Sequence, residues 1–395
     1  MQRPHGRFFA CVLMIALAGC APTSGGTEAA PSVQPSVSSV ASASPSEQAL
    51  AFPTAAFAEI SEGPVSRATA AEFQAALEEM ADGAGMAATV MTADGTWSGA
   101  VGKADGVRDV VVDDQFAIAS ITKSVVAAQV MQMVEAGELA LDDPATDHLP
   151  ADLDFDTNGA TIRQLLGHRS GLPGYDPSLY NPALQESPST DRQRIWTPAE
   201  TLALVSTYRA PAGDDFHYSD VNYLLLGLVI EQVRGRPVAE VLRDGVLSID
   251  GVERLVYQPD EAPTEPMAMA DGESTAALET GGGYLPSLAA ATSNGASAAM
   301  ASDSLSLARW WRAFCAGDIV SQTSLTEMRT FQDGYGLGLF SLLSGAVGHG
   351  GEHIGYVAWA GCLPEEGSVV VVLSNRVVEN VLAMAGPLVD AVRSD

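Results

Sequence analysis

Two pairs of apolar segments, one near each end of the chain, most constrain the fold. GMAATVM and TWSGAVG flank a turn at residues 93–95, and GYVAWAGCL and SVVVVLS flank a turn at residues 365–367. Short apolar runs joined by a Gly-containing turn are typical of β-hairpins. Because helix-type sequence fills the stretch between the hairpins, we expect one antiparallel sheet built from both ends of the chain.

Helices are expected on one face of that sheet. Thr69 and Glu72 form a capping-box pattern that predicts a helix to about Met80, and a second amphipathic stretch predicts a final helix from about Val378 to Val392. The predicted fold class is therefore α/β, an antiparallel sheet flanked by N- and C-terminal helices. A largely helical insert is expected over roughly residues 135–285.

The N-terminal end predicts export and a lipid anchor. Residues 1–20 place Arg3 and Arg7 before the apolar run FFACVLMIALA and end in LAGC at Cys20. This is the order of a secretory signal peptide, and LAGC resembles the lipobox in which the Cys becomes the lipid-modified first residue. The alternative is a secreted protein in which this Cys has no role.

A flexible linker is expected next, because residues 21–65 are rich in Ala, Ser and Pro and poor in bulky apolar side chains. A single folded domain is expected over residues 66–395. The chain has 49 acidic and 20 basic residues and a net charge of −29, so nucleic acid is excluded as a partner. Any membrane contact is expected through the N-terminal lipid only.

The cysteines point to one disulfide. Cys11 lies in the predicted signal peptide and Cys20 at its end, which leaves Cys315 and Cys362 as an even pair in an oxidising compartment. The alternative is two buried thiols that act as small apolar groups. No C-x-x-C motif occurs, and we expect no metal and no cofactor.

The stretch GHGGEHIGY can be interpreted in two ways. His349, Glu352 and His353 spell H-x-x-E-H, a zinc-binding pattern that requires one continuous helix. The four glycines among these nine residues disfavour a helix, and the alternation that follows is typical of a strand. We therefore interpret the segment as a Gly-rich strand in which His349 faces a pocket.

Ser120 and Lys123 are the candidate nucleophile and its partner. They follow the short apolar segment FAIA at the predicted start of a helix, and residues three apart share one helix face. A Ser hydroxyl becomes a nucleophile only when a neighbouring group takes its proton, and a helix N-terminus favours an oxyanion nearby. By itself, however, a Ser at this position is more often a plain N-cap.

Two further segments accompany the Ser-Lys pair. Tyr218 directly precedes a predicted helix capped by Ser219 or Asp220, and His349-Gly350-Gly351 precedes the strand GYVAWAG. An isolated Tyr at a helix entrance is usually a packing residue. The segment LLGHRSGLPGY, with His168, is a further landmark; this His receives no role and is expected to be a satisfied loop residue.

Together these segments resemble the serine β-lactamase and penicillin-binding-protein family, which includes class C β-lactamases, D-Ala-D-Ala carboxypeptidases, D-aminopeptidases and esterases. Ser120-Ile-Thr-Lys123 is similar to the family's nucleophile motif, Tyr218-Ser219-Asp220 to its Tyr-x-Asn motif, and His349-Gly350-Gly351 to its Lys/His-x-Gly strand, in the family's order. The likeness covers roughly residues 70–390. It implies a serine hydrolase domain over residues 66–395.

The resemblance implies acyl transfer through a covalent intermediate. Ser120 would attack a carbonyl, and Lys123 and Tyr218 would share the role of general base. The backbone N–H groups of Ser120 and Glu352 would hold the oxyanion, with Gly351 leaving room for substrate. Because the ordinary pKa values of Lys and Tyr lie near 10, we expect one of the two pKa values to be lowered.

Two departures from the family pattern bear on the substrate. Asp220 stands where Asn is usual, so a hydrogen-bond donor becomes an acceptor that can pair with Lys123. His349 stands where most class C β-lactamases have Lys, and a His with an ordinary pKa of about 6.5 holds a substrate carboxylate less firmly.

We therefore expect a D-Ala-D-Ala carboxypeptidase-like peptidase on the outer face of a bacterial membrane. Its substrate would be a small molecule or short peptide with a hydrolysable amide or ester. The alternatives are an esterase, a class C β-lactamase, or, in a different class, a non-catalytic penicillin-family binding lipoprotein.

Overall fold

The computed structural model describes most of the chain after residue 51. The described residues are 52–174, 182–205, 209–213, 215–270, 283–342, 345–377, 381 and 384–394. The predicted signal peptide, the lipidation site at Cys20 and most of the predicted linker lie outside these residues.

The strands form one large and one small antiparallel sheet. They are β1 (Met86–Thr92), β2 (Gly95–Val101), β3 (Phe116–Ala117), β4 (Val256–Tyr257), β5 (Met300–Ser302), β6 (Phe340–Ser341), β7 (Val347–His353), β8 (Tyr356–Leu363) and β9 (Ser368–Ser374). The large sheet has the order β2-β1-β9-β8-β7-β6, and the small sheet has the order β3-β5-β4.

Pairing of β1 with β9 joins the two ends of the chain. Val90 lies opposite Val370, while β2 and β8 complete the N- and C-terminal hairpins. All residues of β8 and β9 are buried, which explains why their sequences are almost continuously apolar. The predicted antiparallel sheet built from both ends of the chain is confirmed, whereas the small β3-β5-β4 sheet was not predicted.

Helices cover both faces of the large sheet, and further helices form the insert. They are α1 (Thr54–Ala58), α2 (Arg67–Ala81), α3 (Thr122–Glu135), α4 (Ile162–Leu166), α5 (Pro182–Thr190), α6 (Pro198–Ala203), α7 (Asp220–Arg234), α8 (Val238–Asp244), α9 (Leu288–Asn294), α10 (Ser304–Ala316), α11 (Gln322–Met328) and α12 (Gly386–Ser394). None of those described is sufficiently long and apolar to span a membrane. Helices α2 and α12 lie on one face of the large sheet and α10 on the other.

Helices α2 and α12 pack together and cover one sheet face, as predicted. The first residue of α2 differs from the prediction. Ser66, not Thr69, caps α2, because the Ser66 hydroxyl accepts a hydrogen bond from the Thr69 N–H at 3.2 Å. Helix α12 begins at Gly386, after a turn at Met384 and Ala385, and the predicted start near Val378 lies outside the described residues.

The stretch predicted as an insert is largely helical. It contains the short strand β4, which pairs with β5, and its helical elements continue past residue 285 to the end of α9 at Asn294. Helix α7 is its centre and packs against α3, α4 and α8. This packing brings the start of α7 to the start of α3.

The predicted disulfide is confirmed. Cys315 at the end of α10 is bonded to Cys362 on β8, across 47 residues of sequence. The bond fixes α10 to the sheet face opposite α2 and α12, where both cysteines are fully buried.

The folded part begins earlier than residue 66, the predicted domain boundary. Phe52, Phe57 and Ile60 are buried, the two Phe rings stack at 5.4 Å, and α1 packs against α10. Composition predicted a linker here because apolar residues are sparse in this stretch. Three widely spaced apolar side chains are nevertheless enough to attach it to a preformed surface.

Phe57→Ala is expected to lower the free energy of unfolding by about 3–5 kcal/mol, because it removes a fully buried aromatic ring. Urea unfolding of the full-length chain measures the change, and Glu59→Ala, which alters an exposed neighbour, serves as the control. Equal stability of the Phe57→Ala and Glu59→Ala proteins would show that this segment does not contribute to the fold.

Candidate active site

Ser120 lies in a short 3-10 turn, Ala119–Ile121, that leads directly into α3. Ala119 and Ile121 are fully buried, whereas Ser120 is partly exposed. Ala119 has φ 48°, a left-handed conformation that costs energy for any residue except glycine. Packing on both sides therefore holds the backbone in a shape that directs the Ser120 hydroxyl outward.

Lys123 is completely buried beside Ser120. Its ammonium group donates to Ser120 Oγ at 3.1 Å, to Asp220 Oδ1 at 2.6 Å and to the Ser297 carbonyl at 3.0 Å. An ammonium group has three hydrogens, and all three are used. The predicted pairing of Lys123 with Asp220 is confirmed, and the contact with Ser297 was not predicted.

Tyr218 completes the cluster around the Ser hydroxyl. Its ring centre lies 4.9 Å from Lys123 Nζ, and its hydroxyl interacts electrostatically with Ser120 and Lys123. Burial raises the pKa of Tyr218, and the charge of Lys123 opposes this rise without cancelling it. Tyr218 is therefore a neutral phenol at neutral pH.

The expectation that one of the two pKa values is lowered is wrong, because both are raised. Burial by itself would lower the pKa of Lys123, but the Asp220 carboxylate and the contacts with Tyr218 raise it overall. Lys123 is thus an ammonium ion and Tyr218 a phenol at neutral pH. The Ser120 proton must consequently move during the attack rather than before it.

The strand β7 forms the opposite wall of the site. A side chain at Gly351 would place its Cβ 2.3 Å from the Ile118 carbonyl and 3.1 Å from Ser120 N, so only glycine allows this approach. Strand β6 pairs with Val347 and Gly348 only. Among the described residues, no strand pairs with β7 from His349 to His353 on this side, and this open edge of β7 lies against the turn that carries Ser120.

Glu352 contributes through its backbone, not through its side chain. In the pairing of β7 with β8, His349 lies opposite Ala360 and Glu352 lies opposite Val357. Ala360 packs in the core on one face of the sheet and Val357 in the core on the other face. The Glu352 carboxylate therefore lies on the face away from Ser120, and its side chain is exposed. The Glu352 N–H as an oxyanion donor stays a prediction.

The strand conformation of this segment contradicts the interpretation of H-x-x-E-H as a zinc-binding helix. The three residues lie on a strand, so Glu352 faces away from His349 and His353. Across the described part of the chain, no group of three or more His, Cys, Asp or Glu side chains is arranged to hold a metal ion.

His349 is buried within aromatic side chains. Its Nδ1 donates to the Gly350 carbonyl at 2.6 Å, and its Nε2 accepts from the Tyr335 hydroxyl at 3.2 Å. Burial and the nearby Lys123 charge lower the pKa of His349 to about 3. The residue expected to hold a substrate carboxylate less firmly than Lys is therefore neutral, and both of its ring nitrogens are engaged.

His168 lies in the turn after α4, as expected for a loop or helix-end His, but it is only partly satisfied. It is a fully buried residue with φ 56°, its Nδ1 accepts from the Ser219 N–H at 3.1 Å, and its ring lies 4.2 Å from that of Tyr218. Its Nε2 has no hydrogen-bond partner among the described residues. His168 supports the backbone that carries Tyr218, and only the LLGHRSGL pattern signalled it.

Comparisons with known proteins agree with this geometry. The family described as Beta-lactamase matches residues 73–392. Penicillin-binding protein 4 of Amycolatopsis lactamdurans is 31% identical over 182 residues, which cover 44% of each chain. The match thus spans less than half the length of that curated relative.

Solved structures share the fold. A D-stereospecific amidohydrolase from Streptomyces sp. is 26% identical, with a TM-score of 0.64 over 79% of this chain and 94% of its own. The D-amino acid amidase of Ochrobactrum anthropi SV3, complexed with L-phenylalanine, is 22% identical, with a TM-score of 0.71 over 83% of this chain and 99% of its own. With a family match over most of its length and a Ser-Lys-Tyr cluster in the family's positions, this chain belongs to the beta-lactamase family.

Proposed function

We propose that this protein is a serine hydrolase that cleaves small amides or esters through an acyl-enzyme on Ser120. The observation that carries the proposal is the contact of a partly exposed Ser120 hydroxyl with a buried Lys123 ammonium group, 3.1 Å away. A binding protein would have no need of a buried cation stabilised beside an exposed hydroxyl.

The protonation states support a relay through Tyr218. As Ser120 Oγ bonds to the substrate carbonyl carbon, its proton passes to the Tyr218 oxygen, and Tyr218 gives its own proton to the leaving nitrogen or oxygen. Lys123 remains charged and stabilises the developing negative charge on this path. Water then attacks the acyl-enzyme, and the same groups return the protons to Ser120 and Tyr218.

The oxyanion is assigned to the N–H groups of Ser120 and Glu352. The close approach of Gly351 to Ser120 N, which brings β7 against the nucleophile, supports this assignment. Two N–H groups that converge on one position stabilise a developing oxyanion without any rearrangement of the protein.

The substrate class follows from the site and from the similar proteins. D-Ala-D-Ala carboxypeptidase-like, esterase and class C β-lactamase activities all use this chemistry. The likeness to a D-stereospecific amidohydrolase supports small amides. We further propose export and anchoring by a lipid on Cys20, which the basic, apolar and LAGC segments support.

Labelling of the full-length chain with a neutral fluorophosphonate tests the nucleophile. Attack by Ser120 Oγ forms a P–O bond and releases fluoride with the Ser proton. We expect one adduct by intact mass in the natural protein and none in Ser120→Ala. Ser124→Ala is the matched control, because this hydroxyl lies one turn further along and donates to the Gly338 carbonyl instead.

Labelling of the Ser120→Ala protein would show that a residue other than Ser120 is the nucleophile. Absence of both the label and ester hydrolysis in the natural protein would favour the non-catalytic binding lipoprotein.

A further inference from the structure

The cationic side chain nearest to Ser120 is already neutralised. Lys123 uses its three hydrogens within the protein and forms an ion pair with Asp220 at 2.6 Å. Its side chain is 0% exposed. Lys123 therefore offers no free charge to a substrate carboxylate on the leaving side of the scissile bond.

The two histidines on the open edge of β7 are also committed. His349 has both ring nitrogens bonded to protein atoms. His353 is bonded to the backbone of Ala290 and lies 3.4 Å from Asn294 Nδ2, and burial lowers its pKa to about 4. Both rings are neutral at physiological pH, so this edge presents no cation.

No other residue type on this edge replaces the missing charge. Residues 349–353 read His-Gly-Gly-Glu-His, without a hydroxyl that could bind a carboxylate oxygen. Arg169 lies 6.0 Å from the Phe216 ring, which is itself 5.5 Å from the ring of Tyr335. It is paired with Asp333 at 3.2 Å and donates to the Gln332 carbonyl at 2.7 Å.

The segments between described residues do not supply a cation either. They contain no Lys, Arg or His in the sequence, although they include several acidic residues; these segments are 175–181, 206–208, 214, 271–282, 343–344, 378–380 and 382–383. With a net charge of −29, the chain as a whole also disfavours anions.

Aromatic side chains fill the position next to His349. The rings of Tyr335, Phe340 and Tyr218 lie 5.8, 4.9 and 6.3 Å from it, between ring centres. A carboxylate placed here would lose its hydration without gaining a cationic partner, which is strongly unfavourable. A carboxamide or an ester alkyl group would lose far less.

We infer that the site selects substrates that carry no carboxylate on the leaving side of the scissile bond, such as primary amides and neutral esters, and that His349 sets this preference. The inference rests on the proposed function and narrows its substrate class from small amides and esters in general to those without this carboxylate. It separates this protein from carboxypeptidases and β-lactamases, whose substrates carry a carboxylate at that position.

Two esters with the same acyl group and scissile bond test the inference: N-benzoylglycyl lactate, which carries a carboxylate, and N-benzoylglycyl lactamide, which is neutral. For the natural full-length protein, we expect kcat/KM to favour the lactamide by at least about ten-fold. His349→Lys is expected to reduce or reverse this ratio by accelerating lactate hydrolysis. His349→Gln, which stays neutral, is expected to keep it.

The possible outcomes distinguish failure of the substrate preference from failure of the proposed hydrolase activity. Equal or faster hydrolysis of the lactate by the natural protein would overturn the inference while leaving the hydrolase intact. An unchanged ratio in an active His349→Lys protein would remove His349 as its cause. If neither ester is cleaved, or cleavage persists in Ser120→Ala, the proposed function fails and the inference with it.

Discussion

Replacing Ser120 by Ala, Lys123 by Met, or both together is expected to reduce kcat/KM for a neutral ester by about the same factor, roughly 10³- to 10⁴-fold. The reason is that the two side chains act as one unit. Without Lys123, the Ser120 hydroxyl loses the ammonium group that polarises it at 3.1 Å, and without Ser120, Lys123 has no nucleophile to assist. Initial-rate kinetics of the three variants measure the effect.

The chain offers a matched control for Lys123. Its only other lysine, Lys103, forms an exposed ion pair with Asp109, and its side chain is 51% exposed. Lys103→Met removes the same charge far from Ser120 and is expected to leave kcat/KM unchanged. Losses that multiply in the double variant would show that Lys123 acts independently of Ser120.

Asp220→Ala is expected to lower the free energy of unfolding at pH 7 by about 3–5 kcal/mol, because it leaves the fully buried Lys123 ammonium group without its carboxylate. In the natural protein the pKa of Lys123 is raised. The stability contributed by this pair is therefore fully present below the unfolded-state lysine pKa of about 10.4 and is lost as the pH rises through the folded-state value.

The variant is expected to have the opposite pH dependence. Without the carboxylate, burial lowers the pKa of Lys123, and the folded state binds fewer protons than the unfolded chain. The stability deficit of Asp220→Ala should therefore shrink as the pH rises from 7 toward 10. Urea unfolding at several pH values measures this trend.

Asp220→Asn is the control, because it removes the charge but keeps an oxygen acceptor for Lys123. Its loss of stability is expected to be smaller than that of Asp220→Ala. If the stability deficit of Asp220→Ala does not change with pH, an unpaired Lys123 charge is not its cause.

Much of the fold followed from local patterns. Both hairpins and the helix after Ser120 were predicted, because alternation, turn residues and helix periodicity depend on near neighbours in the chain. The pairing of Cys315 with Cys362 was predicted from compartment and count. The start of α2 was misplaced because Ser66 and Thr69 are both acceptable caps, and only packing selected Ser66.

The site divides in a similar way. The sequence indicated the nucleophile, the lysine and the tyrosine, and the change from Asn to Asp predicted the ion pair of Asp220 with Lys123. It did not indicate the Ser297 carbonyl or the support of Tyr218 by His168, because backbone groups and buried rings leave no distinctive residue pattern.

The sequence by itself determined which residue types can carry out the chemistry and the order in which the chain brings them. Only the tertiary structure decided their charge states: Lys123 is an ammonium ion beside a carboxylate, whereas His349 is neutral among aromatic rings. The physical reason is that a pKa depends on burial and on charges contributed by distant segments. Asp220 reaches Lys123 across 97 residues of sequence, and that distance closes only when α7 packs against α3.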